Sequence, residues 1–242
     1  MRRRFALVIA LFLIALAIGG VIYWRSLPPK ELTRIEEVRQ RVQPSLKKEL
    51  RVAGFTLGDP VFIRIIKETR ELEMWLQPRG SRQFKVWKTW RIVGMSGRLG
   101  PKLAEGDRQA PEGFYEVGAD ALNPMSDCHL AFNTGYPNVF DTSLGRTGSW
   151  IMVHGSTGSL GCFAMTDPVI EEIYLVCEAA LERGQASFAV HVFPFRMTEE
   201  RMHAAAENEW LPFWENLREG YVRFEETNLP PAVRLEDGHY GF

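Results

Sequence analysis

Between Ile151 and Met165 the chain reads Ile-Met-Val-His-Gly-Ser-Thr-Gly-Ser-Leu-Gly-Cys-Phe-Ala-Met, and this stretch limits the fold more than any other. A short apolar run ends on His154, a loop of small residues follows, and a second apolar run starts behind Cys162. Glycines at 155, 158 and 161 suit tight backbone turns that a packed core has little use for. Such a loop is short enough to fold Cys162 back against the end of the strand carrying His154. Asp167-Pro168 then opens a helix in the favoured order of cap and proline, and Gly184 closes it.

Runs of the same kind recur along the chain. Val61 to Ile66, Glu71 to Leu76, Phe84 to Trp90, Phe114 to Val117, Cys128 to Asn133, Ser149 to His154 and Ser187 to Phe193 read as strands. Glycine- and proline-rich loops at 94–101, 105–113 and 133–148 divide them. A second helix is expected from Thr198 toward Asn216. The reading is a mainly β, α+β domain over 60–196, with a helix after the His154–Cys162 loop and a helical C-terminal extension, 197–242, packed on it.

The chemistry within 151–165 is that of a nucleophilic thiol. A cysteine attacks as thiolate, and an adjacent imidazole that takes its proton is expected to bring its pKa from about 8.5 to neutrality or below. His154 is the candidate base and Cys162 the nucleophile. Backbone N–H groups of Leu160, Gly161 and Cys162 are the candidate donors to an oxyanion. His191 is the rival base, although Val190, Val192 and Phe193 mark its surroundings as a strand. No paired Cys or His spacing points to a metal, and no cofactor is called for.

His154-Gly155 followed by Ser159-Leu160-Gly161-Cys162 resembles the active-site signature of the L,D-transpeptidase catalytic domain, the YkuD-like family. Glu105 to Tyr115, with Gly106-Asp107 and Pro111-Glu112-Gly113, resembles a second motif of that family. Phe62 to Ile65, Glu71 to Leu76, Ser96 to Lys102 and Phe132 to Asn138 make the chain most similar to the YafK-like branch. The likeness covers about residues 44 to 196. Leu160 stands where the wider family has a second histidine, and the loop from His154 to Cys162 is shorter than in most members.

The resemblance implies a β-sandwich and cysteine acyl transfer on peptidoglycan stem peptides through a thioacyl-enzyme. It also implies that the Gly155 carbonyl orients His154. Cys162 would cut at the L-centre of diaminopimelate and pass the acyl group to an amine or to water. Hydrolytic release of a murein-linked lipoprotein and a non-catalytic peptidoglycan-binding module are the alternatives. Loop 133–148 is the expected recognition element, with Asn133, Tyr136, Asn138, Asp141 and Arg146 supplying polar groups and Arg146 able to fork onto a carboxylate. Ser159 is a further candidate contact, or a turn-former.

The remaining residues set the context. With 45% hydrophobic and 24% charged residues in 242, a sizeable core is affordable, and a net charge of −1 gives no reason to expect nucleic acid. Arg2-Arg3-Arg4 precedes an uncharged apolar run from Phe5 to Trp24, about 30 Å long as a helix. Residues 1–27 therefore read as an inner-membrane signal anchor, with cleavage after Ala15-Leu16-Ala17 as the alternative, and the rest as periplasmic. Residues 28–59 read as a tether with a solvated, mixed-charge helix. Of three cysteines, Cys162 must stay reduced, Cys128 and Cys177 could pair, and Cys177 also suits a buried apolar site.

Overall fold

Alternation of side chains along Val61–Ile66 (β1) shows how the molecule is layered. The computed structural model describes residues 32–242, so the expected N-terminal anchor lies outside the described residues. Val61, Ile63 and Ile65 enter one core, while Phe62, Arg64 and Ile66 face the opposite side, and all six are buried. A strand covered on both faces is apolar throughout, apart from an arginine that must be paired. Arg64 donates to Glu73 at 2.7 Å and lies over the rings of Tyr221 and Phe224.

β1 is the centre of a five-stranded sheet with Glu71–Leu76 (β2), Lys85–Arg91 (β3), Gly113–Gly118 (β4) and Ser187–Phe193 (β9), in the order β3-β2-β1-β9-β4. A second sheet joins Leu122–Asn123 (β5), Ala131–Asn133 (β6), Met152–His154 (β7) and Phe163–Ala164 (β8) in sequential order. Phe132, Val153 and Phe163 of this sheet share one core with Val190 and Val192 of the first. The expected α+β, mainly β architecture is borne out.

Arg34–Val52 (α1) departs from the solvated tether expected at 28–59. It buries Val38, Leu46 and Leu50 in the main core. Its arginines 39 and 41 pair with Glu178 and Glu171 of Asp167–Glu182 (α3). The mixed charges that suggested a solvent-facing helix serve in part as partners for the helix beneath. Residues 34–242 form one compact unit.

The C-terminal part also differs in detail. The single expected helix is two, Glu199–His203 (α4) and Leu211–Thr227 (α5). They are separated near Asn208, whose side chain accepts the Trp210 N–H. Trp214, Leu217, Tyr221 and Phe224 line one side of α5 and are buried in the clusters on the outer face of the five-stranded sheet. A hairpin then pairs Arg234–Glu236 (β10) with His239–Gly241 (β11) around Asp237-Gly238, both at positive φ. Asp-Gly is a strong local hairpin signal that the helical expectation passed over.

Candidate active site

The parallel pairing of β7 and β8 assembles the site. Val153 lies opposite Phe163 and His154 opposite Ala164, so Met152 comes beside Cys162. The Met152 N–H donates to Cys162 Sγ at 3.3 Å, and the thiol lies 3.4 Å from the Trp150 carbonyl, which accepts from it. His154 Nδ1 is 2.6 Å from the Gly155 carbonyl. The carbonyl can only accept, so Nδ1 carries the proton and Nε2 keeps its lone pair.

Burial dominates the charge state of both groups. It lowers the His154 pKa below its ordinary value, with the Gly155 hydrogen bond opposing more weakly. It raises the Cys162 thiol, outweighing the lowering by the Met152 N–H and by the charge of Lys102. At neutral pH the resting pair is imidazole and thiol. Burial thus opposes the thiolate expected at or below neutrality, and no hydrogen bond from His154 to the sulfur offsets it.

The loop between them is held from several directions. Gly161 adopts φ +99° and donates its N–H to Ser96 Oγ at 2.8 Å. That N–H is therefore directed to Ser96 and not to an oxyanion, a correction to its expected role. Ser159 Oγ donates to the Cys162 carbonyl at 2.6 Å, which makes Ser159 a turn-former and not a substrate contact. Asp167 Oδ1 accepts from the Ser156 N–H at 2.7 Å. A Cβ on Gly155 would lie 2.6 Å from that Asp167 oxygen and 2.7 Å from the Cys128 carbonyl, so the residue after the base has no room for a side chain. Trp150, Ser156 and Thr166 all take positive φ around this loop, a concentration of strained backbone of the kind found at functional sites.

No protein-family model matches the chain. YafK of Escherichia coli K12, which carries an L,D-transpeptidase name, is 40% identical over 184 residues, 76% of this chain and 74% of that protein. The chain belongs to the L,D-transpeptidase family. The YafK of Escherichia coli O157:H7 matches to the same extent. Among solved structures, the helical cell shape determining protein Pgp2 of Campylobacter jejuni is 18% identical, with 79% of this chain and 80% of that chain covered and a TM-score of 0.45. Bd1075 of Bdellovibrio bacteriovorus is 21% identical, with 69% and 56% covered and a TM-score of 0.39.

In this L,D-transpeptidase chain the expected recognition loop is largely occupied with its own structure. Asn138 caps Val139–Ser143 (α2) by accepting from the Asp141 N–H, and its amide donates to the Phe114 carbonyl and Tyr240 Oη. Asp141 and Arg146 are both buried and pair at 2.8 Å, with the guanidinium over the rings of Phe140 and Phe213. The Tyr136 hydroxyl donates to the carbonyls of Lys102 and Thr147. Tyr136, Asn138, Asp141 and Arg146 thus each brace the loop through at least one protein partner. Asn133 differs. It borders a cavity of about 560 Å³ with Trp150, Met152, Asp120 and Glu116, beside the backbone that holds the thiol.

Other residues also fall differently. His191 lies on β9, buried among Phe62, Phe114 and Phe193, with its pKa lowered to about 3 by burial and by Arg64, and it has no bond to Cys162. All three cysteines are free thiols, and Cys177 is fully buried in α3. Ser96 and Trp150 touch the Gly161 N–H and the Cys162 thiol, and the sequence reading gave neither a role. Ser96 sits within a quoted family motif, whereas 71% exposure of Trp150 beside the nucleophile has no local sequence signal.

Proposed function

We propose that this L,D-transpeptidase-family chain is a cysteine acyltransferase acting on diaminopimelate-containing stem peptides of peptidoglycan. The observations that carry the reading are a His154 oriented by the Gly155 carbonyl at the end of one strand and, at the start of the strand beside it, a thiol that accepts the Met152 N–H. As Sγ attacks the peptide carbonyl at the L-centre of diaminopimelate, Nε2 of neutral His154 takes the thiol proton. N–H groups of Leu160 and Cys162 receive the oxyanion, each worth about 3 kcal/mol to the transition state. The imidazolium then returns its proton to the leaving amine, the C–N bond breaks, and a thioester remains on Cys162.

An amine acceptor completes a transfer, and water completes a hydrolysis, including release of a murein-linked lipoprotein. Both follow from the same thioester. Asn133, at the cavity beside Met152, is the polar contact we assign to the donor peptide. We also propose that residues 5–24 anchor the chain in the inner membrane with the catalytic unit in the periplasm. Alkaline phosphatase fused after residue 59 should then be active, and an inactive fusion would refute that placement.

Incubating the protein with purified muropeptides and with lipoprotein-linked murein, then resolving products by mass, tests the reading. New crosslinks or loss of the terminal D-residue are expected in the wild type and absent in Cys162→Ala. Unchanged substrates in every case would refute it.

A further inference from the structure

The cavity of about 560 Å³ beside the nucleophile is walled by the end of β4, the turn into β5, Asn133 of β6, and Trp150 and Met152. Two of these residues fix the thiol, the Trp150 carbonyl by accepting from Sγ and the Met152 N–H by donating to it. Trp150 is 71% exposed and takes φ +56°. Left-handed backbone is costly for a bulky side chain, and an indole left in water gains little from burial. Folding alone therefore gives no reason for a tryptophan here. The ionisable side chains of the wall are both acidic, Glu116 and Asp120, and both are exposed. Glu116 accepts from the Ser187 hydroxyl through one oxygen and keeps the other. Asp120 has no hydrogen-bond or ion-pair partner among the described residues.

We propose that this cavity receives the side-chain ammonium of the donor peptide's diaminopimelate, held by the carboxylates of Asp120 and Glu116 and by the face of Trp150. The assignment rests on the acyl-transfer reading of Cys162, which puts the carbonyl at the L-centre on the sulfur. From that carbonyl a short methylene chain leads to the amine-bearing D-centre, and the cavity begins at the backbone groups that hold the thiol. An indole face attracts a cation through its quadrupole, and the methylenes of the same side chain cover the ring. A carboxylate would meet two like charges and no cation in the wall. The carboxylate on the D-centre is accordingly directed out to solvent. This reverses the part of the substrate that the 133–148 loop was expected to read. Arg146, the cation expected to take a carboxylate, is buried against Asp141, and the cavity beside the thiol presents the opposite charge.

The test titrates full-length Cys162→Ala, which can bind but not react, with three stem tetrapeptides. They carry diaminopimelate, lysine, which keeps the amine and lacks the carboxylate, or 2-aminopimelate, which keeps the carboxylate and lacks the amine. The diaminopimelate and lysine peptides should bind about tenfold more tightly than the aminopimelate peptide, the size of an exposed ion pair and an exposed cation–π contact together. They should also shift the Trp150 indole N–H resonance. Adding Asp120→Asn should cut the preference to about threefold, as one exposed ion pair is lost. Trp150→Leu keeps an apolar side chain without the ring face and should also narrow it. Equal affinity for the diaminopimelate and aminopimelate peptides, weak binding of the lysine peptide alone, no saturable binding, or a preference untouched by both variants would overturn the proposal. The predicted preference in Cys162→Ala, with no turnover by the wild type, would refute acyl transfer at Cys162 and leave the ammonium site standing.

Discussion

At the scale of single residues, the proposed mechanism has two neutral groups exchange a proton during attack. Burial lowers the His154 pKa, and a base that works unprotonated should then keep its activity as pH falls through the ordinary histidine value of 6.5 and lose it only below. Burial raises the Cys162 thiol above its ordinary value, so the resting sulfur ionises only on the alkaline side. A profile of kcat/KM against pH should therefore have its acid limb below 6.5. Alkylation by iodoacetamide should climb only above pH 9. A reactive thiolate at pH 6 would show that His154 and Cys162 rest as an ion pair. That signature is what the bare His and Cys motif suggests, and burial, which a motif does not encode, opposes it.

At the scale of elements, the nucleophile's loop depends on a segment some sixty residues earlier. Ser96 accepts the Gly161 N–H, and Gly94 bridges to Ala164 so closely that a Cβ there would stand 2.2 Å from the Thr157 carbonyl. Ser96→Ala should lower kcat/KM about threefold to tenfold, the range of one net hydrogen bond, with little change in melting temperature. A large loss of stability with unchanged turnover of the surviving enzyme would assign Ser96 to folding alone. Strand and helix positions such as β9 and α3 were legible because period-2 and period-3.6 patterns and an Asp-Pro cap are local signals. His154 and Cys162 were legible because their loop is short. The bracing roles of Asn138, Asp141 and Arg146 were hidden because an exposed recognition loop and a self-capped helix use the same residue types. Only the long-range partners Phe114, Tyr240 and Phe213 distinguish the two. The packing of α1 was hidden for the same reason, since its charges look solvated until α3 is set beneath it.

At the scale of the whole molecule, a buried ion pair ties the C-terminal extension to the loops that support the site. Lys67 Nζ donates to Glu112 at 2.8 Å and to the carbonyls of Gly100 and Ala110, while Glu112 also accepts from the Trp214 indole of α5 at 2.8 Å. Lys67→Met would leave the Glu112 carboxylate buried without its cation, a loss of about 3–5 kcal/mol. The double variant Lys67→Met/Glu112→Gln should regain part of that in urea unfolding, and failure to regain any would show that the pair does not act as a unit. The most direct measurement of the central claim is the intact mass of the protein quenched during turnover of a diaminopimelate tetrapeptide. The account predicts an adduct equal to the peptide less its terminal D-residue, mapped to Cys162, missing in Cys162→Ala and accumulating far more slowly in His154→Ala. Turnover that persists in Cys162→Ala, or an adduct on another residue, would contradict it.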